Sequence, residues 1–94
     1  MRVETVEVYS EKTNAAVMRH PDRKFPGVLI QGDSLHSLCV GLDALCSNVR
    51  SQTKPETYQE ANQLRNSMWA YLNHYKTVLE EHGIPLPFSE RPSS

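Results

Sequence analysis

The stretch from Phe25 to Leu35, F-P-G-V-L-I-Q-G-D-S-L, constrains the fold most, because a turn, a strand and a helix start follow one another in it without a gap. Pro26 and Gly27 punctuate the turn, and Val28, Leu29 and Ile30 read as a buried strand. Gly32 gives the tight exit, and Asp33 or Ser34 offers the short side-chain oxygen that caps a helix, a bond worth about 1 kcal/mol. The chain on either side is placed by this junction.

Before it, Arg2 to Tyr9 is rich in β-branched and aromatic residues and predicts a strand with Val6 and Val8 on one face. Val3 is out of phase with that pair, which a fraying edge or a small bulge near Glu4 would absorb. The polar run S-E-K-T-N returns the chain as the second arm of a hairpin, and Pro21 ends that arm. After the junction, Leu35, Leu38, Cys39, Leu42, Leu45, Cys46 and Val49 recur at spacings of three and four and form an apolar stripe suited to a sheet. Gly41 interrupts this helix at a cost of about 1 kcal/mol against Ala, as a close approach to the strands would require. Thr53 and Glu56 are spaced like a capping box, Pro55 suits a first turn, and a second apolar stripe from Tyr58 to Leu79 runs until Gly83.

The expected fold is therefore α+β: a small three- to four-stranded antiparallel sheet, β-β-β-α then a long α, with the first helix packed on one face. Strands are expected at about 2–9, 15–20 and 28–31 and helices at about 34–49 and 54–82, in one domain over 1–88 with a disordered tail at 89–94. The tail segment Ile84 to Phe88 is the candidate fourth strand. A helix near thirty residues would extend on the order of 40 Å, more than so small a domain needs, and its overhang offers a surface to a second copy in a homodimer.

Charge and cysteine usage narrow the function classes. Ten Lys and Arg against eleven Asp and Glu leave a net charge of -1, so no global field draws the chain to nucleic acid or lipid. The N-terminus lacks the apolar stretch of a signal peptide and no apolar run is long enough to span a bilayer, which predicts a cytoplasmic protein. Cys39 and Cys46, seven apart on one helix, stand about 10 Å from each other and cannot bridge; they read as buried thiols. His20, His36, His74 and His82 are scattered without ligand spacing, so neither a metal nor another cofactor is expected.

Three readings of the chemistry-bearing residues compete. The string G-D-S-L at Gly32 to Leu35 is the signature of a serine esterase family, but those chains also carry an Asp-x-x-His pair that this one lacks. A serine without a base is a weak nucleophile, which leaves a hydrolase with Ser34 and His36 as the alternative to a non-enzymatic module. Arg19, His20, Arg23 and Lys24 form a basic loop that could meet an acidic protein surface or, as a further alternative, nucleic acid. Trp69 lies off the main stripe of the second helix and is a candidate contact anchor.

The order of a hairpin, P-D-x-x-F-P-G-V-x-x-Q-G-D-S-L, an amphipathic helix and a late G-I-P-L-P resembles the HicB-like antitoxin domain, which implies a truncated ribonuclease H-like sheet. Pro26, Gly27, Gly32, Asp33, Ser34 and Gly83 fall on its turn and cap positions. The segments E-V-Y-S-E-x-T-N-A-A-V and F-P-G-V-L-I-Q-G-D-S-L also resemble a small bacterial family of unknown function. The resemblance implies an antitoxin-like or immunity-like regulator that binds a partner protein; charge and position on the second helix make Arg19, His20, Arg23, Lys24 and Trp69 the expected contact residues.

Overall fold

The structure, a computed structural model, describes residues 1–90. Its elements are β1 (Glu7–Ser10), β2 (Ala15–Arg19), β3 (Gly27–Ile30), α1 (Gly32–Val49) and α2 (Pro55–Glu81). The chain is α+β, with a three-stranded antiparallel sheet in the order β1-β2-β3 followed by two helices. Contacts divide it into two compact units, Met1–Gln31 and the part that begins at Gly32. No helix among the described residues is long and apolar enough to cross a membrane.

In the first unit, side chains of the turn fix the hairpin. Thr13 Oγ1 accepts the Ala15 N–H at 3.2 Å and donates to the Ala15 carbonyl at 2.9 Å, so one hydroxyl satisfies both backbone groups where β2 begins. Glu7 pairs with Arg19 and Val8 with Met18, and then the register slips so that Ser10 faces Val17. β1 starts only at Glu7, so Val3 lies outside the strand, as the fraying alternative expects, and the irregularity lies between Val8 and Ser10 and not near Glu4. β2 and β3 pair in unbroken register from Ala15 with Ile30 to Met18 with Gly27.

β3 departs from expectation in burial. Val28 is 61% exposed and Leu29 55%, and Ile30 is exposed as well, so the apolar run read as a buried strand is a sheet edge open to solvent. The hydrogen-bonded centre is β2, whose five residues are all half-buried.

The second unit is a helical hairpin. The five residues from 50 to 54 join the helices, a length that makes neighbours antiparallel. The contacts agree: Asp43 meets both Trp69 and Arg65, while Gly32, eleven residues earlier, meets Tyr75, farther along α2. Cys39, Cys46 and Leu72 are the fully buried side chains of this seam. Cys39 and Cys46 of the α1 stripe are thus buried in the hairpin with α2, the amphipathic helix that follows, while Leu38 and Leu45 of the same stripe remain exposed.

Helix ends differ in detail from the sequence reading. α1 begins at Gly32, so Asp33 and Ser34 lie inside its first turn, where Asp33 Oδ1 accepts the Ser34 N–H at 2.8 Å. The capping box of Thr53 and Glu56 does not form. Lys54 is the N-cap of α2, without a side-chain bond, and the Thr53 hydroxyl instead donates to the Val49 carbonyl at 3.0 Å. Pro55 at the first helical position removes one N–H that would otherwise lack a partner. α2 runs unbroken for 27 residues and ends in a full Schellman motif: Gly83 has φ 66, its N–H reaches Glu80, and the Ile84 N–H reaches Leu79 at 2.9 Å.

Gly83 reverses the chain, and the tail returns to α1. Phe88 stacks on His36 with ring centroids 4.1 Å apart, and Glu90 pairs with Lys76 at 2.6 Å. Residues 84–88 carry no strand, so the sheet has three strands among the described residues. Of the tail expected to be disordered, Ser89 and Glu90 are placed, and 91–94 lie outside the described residues.

Candidate functional site

Among the described residues, each unit carries a concave surface. In the sheet unit, Pro21 ends β2 and a tight turn follows, held by the Arg23 N–H on the His20 carbonyl at 3.0 Å and by the Asp22 N–H on His20 Nδ1 at 3.1 Å. That turn carries Arg23, Lys24 and Phe25 to the start of β3. A groove of about 520 Å³ opens there, with Val6, Met18, Phe25, Val28 and Leu29 supplying apolar wall and His20, Arg23 and Lys24 the polar rim.

The charges around this groove are unevenly engaged. Arg19 is bound to Glu7 across the β1–β2 pair, and the hydrogen bond and charge of Glu7 raise its pKa above the usual arginine value. Arg19 also donates to the Arg23 carbonyl at 3.1 Å, so it braces the turn. Asp22 is held by Arg2 at 3.0 Å. Arg23 and Lys24 enter no ion pair among the described residues; Lys24 Nζ lies 5.5 Å over the Phe25 ring. The rim therefore presents two uncommitted cations beside exposed apolar side chains.

The second concavity, about 620 Å³, lies in the helical unit between His36, Asp43 and Ser47 of α1, Trp69 and Lys76 of α2, and Phe88 of the tail. Trp69 is half-buried, not an exposed anchor, and its indole N–H donates to Asp43 Oδ1 at 2.9 Å. Arg65 Nε approaches the same oxygen at 3.7 Å. Cys39 is buried close by, and burial, followed by the Asp43 charge, pushes its thiol pKa up, which keeps the sulfur protonated and a poor nucleophile.

The basic-loop residues thus gather at the sheet groove, with Arg19 diverted to structure, while Trp69 belongs to the other cavity in the other unit. Ser34 and His36 lie on the first two turns of α1, and the His36 ring is stacked on Phe88. Pro26 and Gly27 lead into β3, Gly32 is buried against Tyr75, and Gly83 closes α2. Sequence reasoning missed Phe25, Val28 and Leu29 as surface residues. Their apolar character signals a core, yet all three are exposed.

The sequence profile of a family of unknown function (DUF6959) matches residues 1–88, and the chain belongs to that family. No curated protein and no solved structure matches the chain.

Proposed function

We propose that this member of a family without an assigned activity is a non-enzymatic, cytoplasmic protein-binding module whose sheet unit takes up an acidic, apolar-bearing segment of a partner protein. The observation that carries the reading is the groove at β3, where Phe25, Val28 and Leu29 are exposed beside the unpaired cations Arg23 and Lys24. β3 is also an outer strand of the sheet, and an open edge offers backbone donors and acceptors to an added strand. An extended segment with alternating carboxylates and aliphatic side chains satisfies the edge, the apolar wall and the basic rim together.

A protein partner accounts for the apolar wall better than a nucleic-acid backbone does, since phosphate contacts call for cations and not for exposed aliphatic side chains. The resemblance to HicB-like antitoxins supports the same class, a small antitoxin-like or immunity-like regulator of bacterial origin that neutralises a partner by covering it. The resemblance rests on turn and cap positions, which bear on fold more than on role.

The test is a titration of the labelled protein, followed by amide chemical shifts, with a peptide alternating Glu and Val and with its Lys-for-Glu counterpart. The Glu peptide is expected to move signals of 23–30, to bind more weakly as salt rises, and to lose most of its affinity for the double variant Arg23→Ala, Lys24→Ala. Equal binding of both peptides, or tighter binding of a single-stranded oligonucleotide at the same residues, sinks the reading. Ester hydrolysis abolished by Ser34→Ala would sink it in favour of an enzyme.

A further inference from the structure

The helical hairpin has two sides, and they differ in chemistry. On one side Asp43 and Trp69 meet, which fixes His36, Asp43, Trp69 and Lys76 as the flank that faces the cavity. At 100° per residue, Leu38 and Leu45 of α1 and Leu64 and Tyr71 of α2 fall on the opposite flank, each pair seven residues apart. In an antiparallel pair, flanking positions of one kind lie next to each other, so these four side chains share a face. They are 50%, 56%, 58% and 69% exposed.

Three properties of this face point to what covers it. First, it lacks charge: from Ser34 to Asn48 on α1 and from Leu64 to Val78 on α2, the positions on this flank hold no Asp, Glu, Lys or Arg. Loss of charge at the centre of an apolar patch distinguishes an interface core from ordinary surface.

Second, Gly41 lies on this flank between Leu38 and Leu45, and a Cβ placed there would meet nothing within 4 Å. A glycine inside an exposed helix sacrifices about 1 kcal/mol, and no packing among the described residues requires it. A second helix crossing close to the backbone at this point does. Third, the area suffices. A helix of 18 residues is about 27 Å long and two helices side by side are about 20 Å wide, so a pair of such faces buries roughly 1,000 Å², the size at which specific association begins.

We propose that the occupant is a second copy of this chain. The two hairpins associate face to face about a two-fold axis, with the α1 helices crossing at Gly41 and with Leu38, Leu45, Leu64 and Tyr71 of each copy enclosed in a four-helix core. An isologous contact of this kind uses one patch twice and closes on itself. The surface is distinct from the β3 groove, so this dimer stands or falls separately from peptide binding.

Light scattering on the full chain at high micromolar concentration tests the proposal. The wild type is expected at twice the chain mass, and Leu45→Glu at half that value with an unchanged helical circular dichroism spectrum, since the side chain points to solvent within one copy. Arg23→Glu should leave the dimer intact. As a check that does not depend on disrupting the fold, Gly41→Cys should form a disulfide-linked dimer on mild oxidation, and Ser47→Cys on the cavity flank should not. A monomeric wild type, a dimer that survives Leu45→Glu, a dimer lost on Arg23→Glu, or cross-linking at position 47 but not 41 each overturns it.

Discussion

At the scale of single residues, two glycines hold the helical unit together for different reasons. Gly32 is buried without a positive φ, and an added Cβ would come within 2.2 Å of the Tyr75 ring. Its requirement is space. Gly83 sits at φ 66 with open space around it, so its requirement is backbone conformation. Gly83→Ala should cost about 1 kcal/mol, the ordinary penalty of a left-handed L-residue, and Gly83→Asn, which tolerates that region better, should cost less. Gly32→Ala should cost roughly 1–3 kcal/mol through overpacking, and the loss should shrink when Tyr75 is shortened to Leu. Denaturant midpoints of these four variants and of Gly83→Ala combined with Tyr75→Leu separate the two cases: recovery of Gly83→Ala by the Tyr75 change would contradict the assignment.

Among elements, the α1–α2 seam is read most directly through the chain's single tryptophan. Its indole N–H lies on Asp43 Oδ1, so one hydrogen bond ties the middle of α1 to the middle of α2. Asp43→Ala should cost about 1 kcal/mol by leaving a half-buried donor without its partner, and should shift Trp69 emission as the indole environment changes. Asp43→Asn keeps an acceptor and should retain more of the stability. An emission spectrum and midpoint identical to wild type in Asp43→Ala would show that the bond does not form in solution.

Elements were also what the sequence disclosed best. Both helices, β2 and β3 lie close to where periodicity and turn residues put them, because spacings of three and four on α1 and α2, and the S-E-K-T-N and P-G turns, are local signals; β1 begins at Glu7 and not at residue 2. Which surface each element buries is not local. Val28 to Ile30 look like core residues, yet they form an outer strand. Trp69 looked like an anchor for a partner, and an aspartate 26 residues away claims it. The basic residues of the candidate site were legible by composition, whereas the diversion of Arg19 to Glu7 depends on the β1–β2 register.

For the whole molecule, the notable quantity is how little is enclosed. Cys39, Cys46 and Leu72 are the buried apolar side chains among the described residues, and a chain of 94 residues has little area to spare for stability. Two of the three are thiols, and the shifted one, Cys39, should make global stability respond to pH. Burial raises the Cys39 pKa above its usual 9.0. Well below that value the thiol is neutral in both states and has no effect on the balance. As pH rises past it, the unfolded chain releases the proton while the folded chain retains it, so unfolding becomes more favourable. Urea midpoints measured from about pH 8 to about pH 10 should fall in the wild type and fall less in Cys39→Ala, with the mutant's lower starting stability taken as its own baseline. Parallel curves for the two proteins would show that the thiol does not contribute.

The return of the tail across the helices also provides an intrinsic probe. Phe88 lies over His36 with the two rings 4° from parallel, a geometry in which the circulating electrons of one ring shield the protons of the other. The carbon-bound protons of the His36 imidazole should therefore resonate upfield of those of the other histidines while the tail is docked. They should move back toward the common position when it lets go, so a one-dimensional proton spectrum can time the tail's release without a label.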